Sequence, residues 1–536
     1  MRRILLSNCL IALVLCMLFP SAVRADVTLA PIADGAPKTL AELRAADPAT
    51  VAALPRFDSR DYGIVPPVKD QGSSDLCWAY AAAAASEISI LRAGIDPAAS
   101  QTTLSLSPEA LGFSRYNRGA DPLKNTKGYI DPGVAWRNKS GVSEYGAALW
   151  SQWCGPVKNG EALSADSLYQ NTAYFLQNAI RIPNANDRDA IKRAIVQYGA
   201  VTFSYNNMSE RDYHNASKET GTASYPHACA IVGWDDSIPA GKFSPGGASQ
   251  DGGWIIKNSY HSLPYFYLSY DCGSNNILAF KYAPPGAYHY NYFYDGAAED
   301  FGLTLSTPGN RYASNIFLAK KGTASAPEYI KAVNVGIIGK NATCEVTCYV
   351  DLQAQQDVSD LSNLVPDRGT LAAKKTETFT HDGYYTIVFD QPVQVTNGSY
   401  FSIAVRISNA NNTAVVRLTQ DTPNMTYLNK DYWFKSKYAA RIKAFTTIGS
   451  PAAHIALRPD GSATAALPQA GNYLVVFAAY RADGALADVA LQTLTAAGAG
   501  EQTIAAPAHL QSADKLSVML WKDFASLHPL CSAASR

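Results

Sequence analysis

Three consecutive residues, Pro284-Pro285-Gly286, divide this chain. Two adjacent prolines remove two backbone donors and fix φ, so neither a helix nor a central strand runs through them. The hydrophobic period changes across them. Downstream, Phe401, Ile403, Val405 and Ile407 alternate with Ser402, Ala404 and Arg406, and Val346, Cys348, Val350 and Leu352 repeat the pattern. That is the period of half-buried strands. Asn397-Gly398 sits between two such runs and reads as a hairpin turn. A further block of strands begins near Pro451, with runs at 473–480 and 516–521 and Asp483-Gly484 as a turn. Upstream the pattern is mixed. An Ala-rich helical run follows Cys77, helices are expected near 144–153 and 188–198, and strand-like runs follow Pro226.

A chain of 536 residues is too long for one core. Lys+Arg and Asp+Glu each number 45, which leaves no basic field for nucleic acid. Arg2 and Arg3 precede an apolar run ending at Phe19, and Val23-Arg24-Ala25 places small residues where a signal peptidase reads. This predicts a cleaved secretory leader over 1–25 and a protein that is secreted, periplasmic or on the cell surface, with no later membrane-spanning segment. Seven cysteines then remain: Cys77, Cys154, Cys229, Cys272, Cys344, Cys348 and Cys531. An odd number in an oxidising compartment leaves one thiol over if the others bridge. Cys344 and Cys348 either bridge each other or face one side of a strand. No Cys/His cluster has zinc spacing, and neither metal nor cofactor is expected.

Cys77 opens a run rich in Ala, Leu and Glu that ends at Gly94, a residue suited to a left-handed cap. A thiol at a helix N-terminus meets unpaired N–H groups and the positive end of the dipole, which favour thiolate. About 150 residues on, His227 starts an apolar run, and Asn258 ends another (Gly252-Gly253-Trp254-Ile255-Ile256-Lys257-Asn258). A thiol nucleophile needs an imidazole to take its proton and protonate the leaving amine. The imidazole in turn needs a third group to fix its tautomer.

These residues, with Phe57-Asp58-Ser59-Arg60, Val68-Lys69-Asp70-Gln71-Gly72 and Leu106-Ser107-Pro108-Glu109, resemble the papain family of cysteine peptidases over residues 55–285. The resemblance implies Cys77 as nucleophile, His227 as base and acid, Asn258 as orienting amide and Gln71 as oxyanion-hole donor. Ser140-Gly141 resembles the bacterial form of the substrate-contacting glycine region, where Gly141 lends backbone hydrogen bonds to an extended peptide; as a plain turn residue it has no such role. Asp75 and Leu76 replace a small Gly-Ser pair and are expected to narrow the non-prime side or alter substrate choice. Tyr260 and His261 replace a tryptophan and a glycine. Residues 26–54 form a pro or linker segment shorter than the family's inhibitory propeptide, with latency expected from residues 40–54 lying over the cleft.

Residues 286–447 resemble the lectin-like β-sandwich that follows some bacterial papain-like peptidases, through Ala313-Ser314-Asn315-Ile316-Phe317, Ala332-Val333-Asn334-Val335-Gly336-Ile337 and Gly383-Tyr384-Tyr385-Thr386-Ile387. Tyr292 is either a sugar-stacking ring or a packing residue. Residues 448–536 resemble a C-terminal Ig-like β module. The expected architecture is an α+β papain-like peptidase of two subdomains followed by two all-β sandwich domains. Its partners are a protein or peptide substrate and cell-surface carbohydrate. The alternative is a carbohydrate- or surface-binding protein whose papain-like domain is inactive or performs transpeptidation.

Overall fold

The computed structural model describes residues 36–184, 186–207, 211–218, 225–273, 277–298, 312–323, 326–352, 364–421, 425–429, 432–449, 453–467, 471–496, 500–510, 513, 515–522, 530 and 533–535. The expected leader and Cys531 lie outside them. The described residues fall into two compact units, 36–449 and 453–535. No described helix is long and apolar enough to cross a membrane.

Two short helices open the first unit, α1 (Leu40–Ala45) and α2 (Pro48–Ala52), each N-capped by a side chain, that of Thr39 and Asp47 respectively. The long helix α3 (Cys77–Ala93) closes at Gly94 with φ of 66°, the left-handed cap its sequence implies. Almost every side of α3 is buried, and its run of alanines lets the Tyr225–Asp235 strand pack closely against it. That strand belongs to a sheet in the order Arg56–Asp58, Tyr225–Asp235, Gly253–Lys257, Tyr265–Ser269, Tyr213–His214, with Val201–Asn207 paired to Tyr225–Asp235, antiparallel except where Tyr213–His214 joins.

Residues 40–54 do not cover the cleft. Arg44 Nε and Nη2 donate to the carbonyls of Arg92 and Leu91, both at 2.9 Å, and Arg92 Nη2 donates to Leu43 O at 2.8 Å. These carbonyls close the last turn of α3, roughly 22 Å along the axis from Cys77 at 1.5 Å per residue. A guanidinium there satisfies orphaned carbonyls and the negative end of the dipole, which explains why the segment docks at the far end of the helix.

The strands Phe175–Ile182 and Ile277–Ala283 precede the Pro-Pro-Gly break but join strands that follow it. They run into one sheet with Asp382–Val395, Glu328–Ile338, Ile442–Ile448 and Tyr290–Tyr292. At the junction Ala179, Ile180 and Arg181 stand opposite Tyr384, Gly383 and Asp382. A Cβ on Gly383 would lie 2.1 Å from the carbonyl oxygen of Ala179, so this close approach requires glycine. Charges line the same junction. Arg417 Nη1 lies 3.0 Å from Glu144 Oε1, and Asp382 Oδ2 takes Arg181 Nη1 at 3.1 Å and Arg417 Nη2 at 3.3 Å. Nearby, Asp295 Oδ2 meets Lys443 Nζ at 2.6 Å and Arg441 Nη1 at 3.0 Å, with all three side chains fully buried.

A second, six-stranded sheet packs over this one, in the order Thr370–Phe379, Ala342–Val350, Tyr400–Ser408, Tyr312–Leu318, Thr426–Asn429, Trp433–Lys435. Asn315 and Phe317 point inward from it, Asn315 donating to the carbonyls of Ala440 and Ile442 and Phe317 packing on Tyr292. Tyr292 is fully buried with its hydroxyl bonded to Glu328, so its role is packing. Cys344 and Cys348 face the same inner side as free, buried thiols. All six described cysteines are free, so of the two readings of Cys344 and Cys348 it is the shared strand face that the structure shows.

Asn397-Gly398 is a turn, with Gly398 at φ of 87°, but not a hairpin. The strand before it lies in the lower sheet and the strand after it in the upper one. Each pairs with other strands of its own sheet, so the turn carries the chain between layers.

The second unit is two antiparallel sheets enclosing an apolar core that includes Ile455, Ala465, Val475, Phe477, Val518 and Leu520. Asp483-Gly484 forms the expected turn between the paired strands Gly471–Tyr480 and Leu486–Ala496.

Candidate active site

Leu76 precedes α3 without a side-chain cap, which leaves the first N–H groups of the helix open beside Cys77. Cys77 is half-buried, whereas the other five described thiols are buried. Burial pushes the thiols of Cys154 and Cys348 up to about 12 and that of Cys272 up to about 11, so they stay protonated and inert.

His227 and Asn258 lie near the starts and ends of neighbouring paired strands, Tyr225–Asp235 and Gly253–Lys257. His227 Nε2 is 2.9 Å from Asn258 Oδ1. The Asn258 amide is held on both sides: Nδ2 donates to Leu263 O at 3.0 Å, and Oδ1 accepts from Ser259 N at 2.8 Å. Oδ1 is therefore the acceptor, which assigns the imidazole proton to Nε2 and makes Nδ1 the basic nitrogen. Cys229 Sγ also reaches Oδ1, at 3.4 Å. Tyr260 stacks on the imidazole with centroids 5.8 Å apart and planes 23° from parallel, which puts its ring beside this hydrogen bond.

Gln71 is brought to the same place by Ser259, whose position beside Asn258 is its only signal in the sequence. Ser259 Oγ donates to Gln71 Oε1 at 2.6 Å, and Gln71 N donates to Ser259 O at 2.9 Å. With Oε1 occupied, the amide nitrogen faces the other way. It spends one N–H on Ser74 O at 2.7 Å and keeps the second.

Gly141 lies flat against the indole beside the nucleophile: a Cβ on it would stand 2.7 Å from Trp78 Cε2. The segment around it is tied to the start of α3 by Asp75 N to Arg137 O at 2.8 Å and Ser143 Oγ to Trp78 O at 3.0 Å. The two residues that replace the small pair before the nucleophile have different surroundings. Leu76 is fully buried in the space Gly112 leaves open, and Asp75 is exposed.

Behind the site is a buried charge cluster that periodicity does not reveal. Glu87, inside α3, pairs with Lys69 and accepts from Leu106 N at 2.6 Å. Lys257, next to Asn258, donates to Pro67 O at 3.1 Å, and burial pushes its amine down to about 8. Burial likewise raises the Glu87 carboxyl. Among the described residues no group of His, Cys, Asp and Glu is placed to hold a metal.

Residues 54–264 match the family described as papain family cysteine protease. This chain carries a papain-family cysteine protease domain. Residues 290–432 match a lectin-like domain. The chain is 25% identical over 221 residues to a cysteine protease of Blomia tropicalis, a match that covers 39% of this chain and 58% of that relative. Among solved structures the fold is similar to the clostridial cysteine protease Cwp84 after propeptide cleavage. The TM-score is 0.58 at 19% identity, over 73% of this chain and 99% of that one. It is also similar to the cysteine protease and lectin-like domains of Cwp84, a surface-layer associated protein of Clostridium difficile, with TM-score 0.57 at 18% identity, over 74% of this chain and 89% of that one. The papain-family domain thus runs into a β-rich lectin-like region in both.

Proposed function

We propose that the chain is a cysteine endopeptidase that acts outside the cytoplasm. Cys77 thiolate attacks the scissile carbonyl to form an acyl-enzyme, after His227 Nδ1 has taken the thiol proton. His227 then returns that proton to the leaving amine, and water, activated by the same nitrogen, releases the acid. Asn258 holds the imidazole in the tautomer this requires, with Tyr260 covering the contact. The spare N–H of Gln71 and the backbone N–H of Cys77 receive the oxyanion. Gly141 borders the peptide's path beside Trp78. The leader-like start of the sequence supports secretion.

The observation that carries this reading is the 2.9 Å contact from His227 Nε2 to an Asn258 oxygen whose amide cannot flip without losing two hydrogen bonds. The test is mass spectrometry of the full chain after exposure to an epoxysuccinyl thiol inhibitor. A single adduct on Cys77, slowed at least tenfold in His227→Ala and absent in Cys77→Ala, is expected. A folded, reduced protein that forms no adduct refutes it. Product analysis with an added amine separates hydrolysis from transpeptidation, since both pass through the same acyl-enzyme.

A further inference from the structure

The outward face of the six-stranded sheet carries a cleft of about 430 Å³, within the range of small-molecule sites. One rung of the sheet builds its floor. Glu345, Arg406, Tyr312, Asn429 and Trp433 are successive cross-strand partners on five adjacent strands, so their side chains form a line across the strands. Tyr312 and Trp433 meet edge to face at 6.3 Å and 77°, and the Arg406 guanidinium carbon lies 5.4 Å from the Tyr312 centroid. Tyr349 adds a third ring to the wall. The Trp433 indole N–H is buried and has no hydrogen-bond partner among the described residues, a donor left waiting for one.

The charges in the lining cancel. Glu345 and Asp367 oppose Lys374 and Arg406, with Lys374 Nζ 2.9 Å from Glu345. A strongly anionic or cationic ligand meets as much repulsion as attraction there, and an apolar one strands the polar groups. An extended peptide adds along a strand edge, whereas this line runs across the face. Flat aromatic surfaces interleaved with paired donors and acceptors suit a neutral polyol ring, with C–H faces on the rings and hydroxyls on the carboxylates, amide and guanidinium. We propose that this cleft binds a neutral pyranose oligosaccharide lying across the strands.

The test uses the full chain with Cys77→Ala to prevent self-cleavage. It is screened by calorimetry against neutral gluco-, manno-, galacto- and N-acetylglucosamine pentasaccharides and against hexuronate and sulfated ones. Binding of at least one neutral class is expected, weakened tenfold or more by Trp433→Ala and by Tyr312→Ala and unchanged by Tyr129→Ala, an exposed ring elsewhere. Tyr312→Phe, which keeps the ring, should retain binding and guards against misfolding of the alanine variant. No neutral binding at millimolar concentration, binding restricted to the charged sugars, or binding that survives both alanine variants overturns the proposal. Epoxysuccinyl labelling of Cys77 in chains carrying Trp433→Ala on the native nucleophile should be unaltered, so this outcome is independent of the peptidase reading.

Discussion

Replacing Asp295 by alanine removes the carboxylate that Lys443 Nζ and Arg441 Nη1 share at 2.6 and 3.0 Å, at a site where all three side chains have no exposure. Burial raises the Asp295 carboxyl while the two cations lower it, so the ion is held by its partners. Taking one member from such a cluster costs about 3–5 kcal/mol, because the remaining charges stay buried. Residues 36–449 form one compact unit of about 410 residues, and at about 2.1 cal/mol/K per residue this cost corresponds to a melting shift of about 3–6 °C. Scanning calorimetry and urea unfolding measure it. Epoxysuccinyl labelling of Cys77 is followed through the same urea transition. Because the sheet runs unbroken from Ile277–Ala283 through Phe175–Ile182 into Asp382–Val395, labelling and sandwich structure should be lost together, in the wild type and in the variant. Asp295→Asn, which keeps the shape and an acceptor oxygen, should cost less than alanine. A loss under about 1 kcal/mol, or labelling that disappears in a transition of its own, refutes the reasoning.

Gln71→Ala, which deletes the spare amide N–H, should lower kcat by about 10²–10³ with little change in melting temperature, measured on a peptide substrate. In Gly141→Ala the new Cβ meets the buried Trp78 ring, and overpacking of about 1–3 kcal/mol should appear in denaturation together with slower labelling of Cys77. Lys257 has a folded-state pKa near 8, below its unfolded value of about 10.4, so the unfolded chain binds more protons between those limits. The stability of wild type relative to Lys257→Met should therefore rise between pH 8 and pH 10 by roughly 2–3 kcal/mol and be flat below pH 7. A difference that falls over that interval contradicts the burial of a charged amine.

The helix after Cys77 with its Gly94 cap, the helix Arg188–Tyr198 and the alternating strands were legible because local period and capping chemistry agree with the final packing. The pairing of His227 with Asn258 was legible through family resemblance and not through spacing. What stayed hidden was non-local. Asn397-Gly398 has the composition of a hairpin turn, yet nothing in the turn itself says that its two strands will prefer partners in different layers. The Pro-Pro-Gly break marks a change of period correctly, but period carries no record of the strands 175–182 and 277–283 crossing it to pair downstream. Glu87 reads as one more helix former, although its carboxylate is sealed inside the helix interface against Lys69. Ser259 gave no signal beyond adjacency to Asn258, since its task is to turn the amide of Gln71.

The clasp between Arg44 and the end of α3 bears on processing. A propeptide that guards a cleft must be able to leave without disturbing what it leaves behind. Here a cut after Leu54 would take with it the guanidinium on the Leu91 and Arg92 carbonyls and the Leu54 carbonyl that receives the Trp234 indole N–H at 2.9 Å. The stretch from about residue 38 onward is thus tied into the framework, and a cleavage upstream of it would leave these contacts in place. The new N-terminus would then emerge at the end of the long helix remote from the thiol, where its charge has no part in the chemistry.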